Sequence, residues 1–309
     1  MGTPEFALPT LRALLEGGVE MAAVITRPDR PAGRGQQTAA SPVKRLALER
    51  GLEVLQPQKI RDPQAIEQVR QRSPEIIVVV GYGQIIPRPI FDFPPLGTIN
   101  MHASLLPKYR GAAPIQWAIA EGAALTGVTT MRIEEGLDTG DILLQREAPV
   151  GPQETAPELS VRLAAIGAEL LMETLEGLRQ GRITPRKQNH PEATLAPILK
   201  KENGRIDWKM SAPQIANRVR GFLPWPGAYT SFRGALLHIR RARPAEEAGP
   251  AVATPGALAI RDRRLLAACG QGWLDLLELQ PEGKKRLTAG EFLNGWRPVS
   301  QDILGEQAP

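Results

Sequence analysis

The sequence predicts a doubly wound α/β domain with a mostly parallel sheet, followed by a smaller all-β domain. Three observations carry that expectation. Helical apolar spacing and short apolar runs alternate through the first part of the chain, the pattern of a sheet covered by helices. Ile76–Val80 is an unbroken β-branched run, the composition of a strand buried on both faces. After a polar stretch with three prolines, TPRKQNHPEATLAP, the apolar runs shorten and turns become frequent. At 309 residues the chain exceeds one usual domain and has material for two cores.

The elements follow in order. Pro4 to Glu16 has helical spacing and stops at Gly17-Gly18, and Val19 to Ile25 then reads as a buried strand. Ser41-Pro42 and Asp62-Pro63 each pair a capping side chain with a proline suited to the first helical position, so each starts a helix. Ile76–Val80 and Thr98–Met101 are central strands, Pro114–Glu121 is a helix closed by Gly122, and Gly127–Ile133 alternates as a strand. Glu158–Leu178 is a long helix ending before Gly181. These residues, 1–181, form the first domain, and 182–204 read as a linker. In 205–309 a helix from Ala212 to Gly221 precedes short strands at Tyr229–Phe232, Leu236–Arg240, Leu265–Cys269 and Trp273–Leu279, spaced as in a small OB-like barrel or sandwich. One feature conflicts with the plan. A Gly2-Thr3-Pro4 turn feeding a helix ordinarily follows a strand, yet only Met1 precedes it. Loss of a first strand by truncation or start-site choice is expected over a sheet that opens at Val19 with an unpaired edge.

A single cysteine, Cys269, excludes an internal disulfide framework. There is neither a long apolar run nor a basic stretch leading into an apolar one at the N-terminus, so a cytoplasmic protein is expected. The net charge of +5 is unevenly placed: residues 1–204 hold 23 Lys+Arg against 23 Asp+Glu, and 205–309 hold 15 against 10. Arg240, Arg241 and Arg243 form one basic cluster and Lys284, Lys285 and Arg286 another, a footprint for a polyanion or simply a solvated face.

The chemistry concentrates in Ile99-Asn100-Met101-His102, followed by SLLPKYRGAAPI and later by Gly136-Leu137-Asp138-Thr139-Gly140-Asp141. Strand alternation puts Asn100 and His102 on one face and Ile99 and Met101 on the other. An amide donor then stands beside a titratable base at the carboxyl end of a strand, where doubly wound sheets bind ligands. Read alone, Asn100 is also a strand-end polar group, His102 a structural histidine and Asp138 a turn cap, with Asp141 a competitor for its place. His190 and His238 stand apart without metal-ligand spacing, and no metal is expected.

Taken together, INMHASLLPKYRGAAPIQWAIAEG and TGVTTMRIEEGLDTGDIL resemble the core of the 10-formyltetrahydrofolate-dependent formyltransferases. The resemblance extends to GTPEFA at the start, to RPDRPAGRG from Arg27, to GYGQIIP from Gly81, and to Ile206-Asp207-Trp208 and Pro224-Trp225-Pro226-Gly227. It implies a Rossmann-like formyltransferase domain followed by an OB-like, tRNA-binding barrel. It implies Asn100, His102 and Asp138 as the catalytic trio, the carboxylate orienting the imidazole and favouring its charged form. Folate contacts are implied at Tyr82, Gln84, Ile85, Ile86 and at Ser104, Leu105, Leu106, Pro107, largely through backbone groups. The loop Arg27–Arg45 holds Arg27, Arg30, Arg34, Lys44 and Arg45 against Asp29 alone, a flexible insert suited to a phosphate backbone. By resemblance Arg34 leads the tRNA contacts, joined by Arg30, Lys44, Arg45, Lys284 and Lys285. The implied reaction passes the formyl group of 10-formyltetrahydrofolate to the amine of initiator methionyl-tRNA, in a monomer. The alternatives are a small amine such as an amino-sugar nucleotide, or an RNA-binding protein without activity; retention of all three polar residues argues against the last.

Overall fold

The computed structural model describes residues 1–32, 37–246 and 253–305. They form two compact units: Met1–Gly111, Leu125–Pro149 and Ser160–Leu195 make the first; Ala112–Ala124, Val150–Leu159 and the chain from Ala196 make the second. The segment 182–204 that reads as a linker is therefore divided between them at Leu195.

In the first unit a 3₁₀ turn (Glu5–Ala7) leads into α1 (Leu8–Glu16). Next come β1 (Val24–Ile25), a ribbon of β2 (Arg30–Ala32) and β3 (Gln37–Ala39), α2 (Pro42–Glu49) and β4 (Val54–Leu55). They are followed by α3 (Pro63–Arg70), β5 (Ile77–Val79), α4 (Arg88–Phe91) and β6 (Thr98–His102). After α5 (Pro114–Ala120), which belongs to the second unit, the first resumes with β7 (Leu125–Arg132), β8 (Ile142–Pro149) and most of α6 (Ala156–Arg179). Ser41 caps α2 through its hydroxyl, which accepts from the Lys44 amide at 3.1 Å, whereas Asp62 occupies the N-cap of α3 without a side-chain hydrogen bond.

β1 pairs with β4 and β5 with β6, both parallel; β7 and β8 complete the sheet antiparallel. The sequence marks Gly127–Ile133 as a strand without fixing its direction, and it does not mark β8. The loop 133–141 that joins β7 to β8 is too short for the crossover a parallel pair needs, so the chain returns antiparallel. Of Val19–Ile25, only the last two residues enter a ladder. Met1 and Gly2 stand where the first strand is expected: the Gly2 amide donates to the Ile25 carbonyl at 3.0 Å and the Val80 amide to the Met1 carbonyl at 2.9 Å. Behind β6, α6 comes so close that a Cβ on Gly167 would lie 2.6 Å from the Met101 sulfur, which fixes the buried face of the strand carrying Asn100 and His102.

The second unit contains α7 (Ala212–Gly221), β9 (Ala228–Phe232), β10 (Ala235–Pro244), β11 (Leu258–Arg261), β12 (Arg264–Ala268), β13 (Trp273–Pro281), β14 (Leu287–Thr288) and α8 (Ala289–Trp296). Ser211 with Gln214, and Thr288 with Glu291, form capping boxes that start its two principal helices. Its strands form one antiparallel ladder, β11-β12-β13-β10-β9 with β14 against β13, bulged at Arg240–Arg241. β11 and β9 do not pair directly, but the tail bridges these two edges: the Leu258 amide donates to the Asp302 carbonyl at 3.1 Å, the Leu304 amide to the Gly256 carbonyl at 2.8 Å and the Gly305 amide to the Ser231 carbonyl at 2.9 Å, in keeping with the expected OB-like plan around a core that includes Ile215, Val219, Leu237, Leu276 and Phe292. α5 packs here through Trp117, whose ring meets Phe222 edge-on at 5.4 Å. Among the described residues, no helix is long and apolar enough to cross a membrane.

Candidate active site

β6 carries Asn100 and His102 at its carboxyl end. Ile99 and Met101 are buried in the packing while Asn100 is partly open on the other face. The Asn100 amide takes no hydrogen-bond partner among the described residues, so its donors are available to a bound molecule. His102 is 6% exposed. Its Nε2 lies 2.9 Å from the Tyr109 carbonyl. A carbonyl only accepts, so this contact assigns a proton to Nε2 and, in the neutral ring, leaves the lone pair on Nδ1. Nδ1 lies 3.7 Å from Oδ2 of Asp138. That spacing exceeds a direct hydrogen bond but suits an ion pair once the ring is charged.

The loop GLDTGD is shaped to deliver that carboxylate. Asp138 adopts the left-handed conformation, φ +52°, which aspartate tolerates better than most residues. A Cβ on Gly140 would lie 2.0 Å from the Arg132 carbonyl, so only glycine lets the loop close onto β7. Oδ2 of Asp138 accepts from the Gly111 amide at 2.8 Å, tying the loop to the end of the KYRG segment. Between the two competing carboxylates, it is Asp138 and not Asp141 that stands beside His102.

The residues with an implied folate role divide. Ile85 is 92% exposed, whereas Tyr82 and Ile86 are buried in the core with Ile25, Ile60 and Phe91. Burial pushes the Tyr82 phenol up to about 12. The Gln84 side chain accepts from the Ile60 amide at 2.8 Å and donates to the Pro57 carbonyl at 3.3 Å, so it holds a turn. In 104–107, backbone groups expected to meet a ligand are already engaged. Thr129 Oγ1 donates to the Ser104 carbonyl at 2.6 Å and accepts from the Leu106 amide at 3.1 Å, and Gln145 donates to the Leu106 carbonyl at 2.9 Å. Leu105 and Pro107, both partly exposed, keep surface to offer.

The basic residues divide as well. Arg34 and the Arg30 side chain lie outside what the structure describes. Lys44 pairs with Asp29 at 2.5 Å, and Gln56 donates to the same carboxylate at 2.8 Å. These two hydrogen bonds hold the Asp29 carboxyl below its usual range. Lys44 is thus engaged by the one acid of its loop rather than offered to a phosphate. Arg45, Lys284 and Lys285 are exposed. Arg286 pairs with Glu278 at 3.1 Å, and Arg243 with the buried Asp275 at 3.2 Å.

Arg110 and Gln188 went unassigned in the sequence. Both are buried beside the Asp138 loop. Arg110 could have been suspected as a cation inside the KYRG motif; nothing in the polar run around Gln188 marks it. Among the described residues no group of three or more His, Cys, Asp or Glu comes together as a metal site would require.

The arrangement can stabilise an oxyanion through an amide, accept a proton at an imidazole nitrogen and balance the resulting charge with a carboxylate. Comparison with known proteins agrees with that chemistry. The formyl transferase family model matches residues 1–175, and the formyl transferase C-terminal domain model matches 198–297. The methionyl-tRNA formyltransferase of Solibacter usitatus is 57% identical over 306 residues, covering 99% of this chain and 97% of that one. Its counterpart from Koribacter versatilis is 55% identical over 306 residues, with 98% and 97% covered. Among solved structures, WlaRD, a sugar 3N-formyltransferase in the presence of dTDP and 5-N-formyl-THF, matches 92% of this chain and 97% of its own with a TM-score of 0.67; at 19% identity the likeness is one of fold.

Proposed function

Because the chain belongs to the formyl transferase family through both of its domains, we infer that it transfers the formyl group of 10-formyltetrahydrofolate to the amino group of methionyl initiator tRNA, making N-formylmethionyl-tRNA for translation initiation. The observation that carries this reading is identity of 57% along nearly the whole of both chains with a methionyl-tRNA formyltransferase. On this reading the enzyme works as a cytoplasmic monomer.

Asn100, His102 and Asp138 are the proposed catalytic residues. The amino nitrogen attacks the formyl carbon; a C–N bond forms as the carbonyl pair moves onto oxygen. The Asn100 amide donates to that developing oxyanion, where a preorganised donor is worth most. The nitrogen's proton passes to Nδ1 of His102 while Nε2–H stays on the Tyr109 carbonyl, and Asp138 pairs with the imidazolium. As the intermediate collapses, the carbonyl re-forms, the bond to the folate nitrogen breaks, and that nitrogen takes up a proton from His102 or a held water. Leu105, Pro107 and the exposed Ile85 are the proposed folate contacts. Arg30, Arg34, Arg45, Lys284 and Lys285 are the proposed phosphate contacts, with Lys44 shaping its loop through Asp29.

The test is a formyl-transfer assay in which charged initiator tRNA, free methionine and an amino-sugar nucleotide compete as acceptors. Formylation of the tRNA alone is expected. Transfer to the sugar nucleotide but not to the tRNA would replace this reading with a small-amine formyltransferase.

A further inference from the structure

Gln188 lies in the stretch whose composition reads as a spacer, yet it is 5% exposed and its amide is used from both ends. Nε2 donates to the carbonyl oxygens of Asp138, at 2.9 Å, and Gly140, at 2.7 Å. Oε1 accepts from Nε and Nη2 of Arg110, at 3.0 and 2.6 Å. Carbonyls only accept and a guanidinium only donates, so the partners admit a single orientation of this amide. Arg110 is 7% exposed, and its Nη2 donates to Nδ1 of His190 at 3.1 Å. Burial pulls the Arg110 guanidinium below its usual value while the Asp138 carboxylate opposes that shift.

Asp138 needs such support. A left-handed non-glycine residue persists where its surroundings over-determine it. Its carboxylate stands beside His102 only while the backbone of the loop is held. A few residues on, Thr194 Oγ1 accepts from the Tyr109 amide at 2.9 Å, and Tyr109 supplies the carbonyl that holds Nε2 of His102. One short segment therefore braces the neighbours of the imidazole on both sides.

We propose that Gln188, backed by Arg110, is a positioning residue for the reaction, holding the Asp138 carbonyl so that the carboxylate stays opposite Nδ1 of His102. The proposal rests on the reading of Asp138 as catalytic.

Gln188→Glu tests it, because glutamate keeps the shape and the acceptor for Arg110 but offers the two carbonyls no donor. The expected result is a kcat lowered about 10- to 100-fold, with KM for folate and tRNA within about twofold of the parent, since displacement of a catalytic group by about 1 Å costs rate. Gln188→Met, which lacks the donors and adds no charge, gives the same split if the glutamate variant folds poorly. Adding Asp138→Asn to either variant slows it no further than Asp138→Asn alone, since Gln188 acts through that carboxylate. Parent-like kcat in a folded Gln188 variant, a change confined to KM, or losses that multiply in the double variant would each overturn the positioning role. Near-parent turnover of Asp138→Asn by itself is a separate outcome: it removes Asp138 from the catalytic set and the positioning role with it.

Discussion

His102 has two neighbours that treat its nitrogens differently. The Tyr109 carbonyl holds Nε2 as a donor, and the Asp138 carboxylate stands 3.7 Å from Nδ1, beyond a direct hydrogen bond. Asn100→Ala and His102→Ala should each lower turnover by about 10²–10⁴ while folate and tRNA affinity stay near those of the parent, because both groups act on the transition state. Single-turnover rates beside equilibrium binding check this; near-parent rates in both variants would sink the mechanism. Asn100 and His102 were legible because period-two alternation needs nothing beyond local sequence. The burial of the residues with an implied folate role was not: Tyr82 and Ile86 sit in the core and Ile85 in solvent, within one continuous apolar motif. Neighbouring residues of like character diverge in burial only when distant elements choose a side.

At the scale of elements, loops that close on strand backbones govern the geometry. In GLDTGD the Arg132 carbonyl leaves no room for a Cβ at position 140. Gly140→Ala should therefore destabilise by about 2–3 kcal/mol and reduce activity through a displaced Asp138, read by denaturant melts and kcat together. A second closure lies in the other unit, where Asp302 takes a two-pronged bond from Arg233, at 2.8 and 2.7 Å, and accepts from the Val299 amide at 2.7 Å. Arg233 above all holds the Asp302 carboxyl below its usual range. A depressed folded value stabilises at pH above the unfolded value, about 4, and that contribution fades as pH falls through the lower folded one. Asp302→Asn should thus cost about 1 kcal/mol at neutral pH, a modest figure because Arg233 is half-exposed, and should flatten the loss of stability below about pH 4. Urea melts at pH 7 and pH 3 measure both. Sequence alone placed the helix start at Ser41 well, since a cap is a contact over three residues. Strand direction in β7 and β8 was not legible that way.

For the whole molecule, the charge excess of the last third is the feature that bears on the acceptor. Lys284 and Lys285 are exposed beside a Pro281 turn. Replacing both with alanine should weaken tRNA binding and reduce the slope of log affinity against log salt by about two, leaving folate affinity intact, since each lost phosphate contact releases one fewer counterion. Filter binding across a salt series measures the slope, and an unchanged slope would place the tRNA backbone elsewhere. The linker shows most plainly where composition misleads. Polar, proline-bearing and without periodicity, 182–204 reads as a spacer, yet up to Leu195 it packs as part of the first unit.

By itself the sequence determined the two-domain plan, the strand that carries Asn100 and His102, and the reaction class, because each is written in short-range patterns: burial period, capping chemistry and a contiguous motif. Only the tertiary structure decided that Asp138 rather than Asp141 faces the imidazole, that Lys44 is held by Asp29, and that Gln188 donates to the Asp138 carbonyl. Those pairings join residues 15 to 50 positions apart. No local pattern encodes such contacts, since they exist only after the backbone has folded and buried polar groups have found partners.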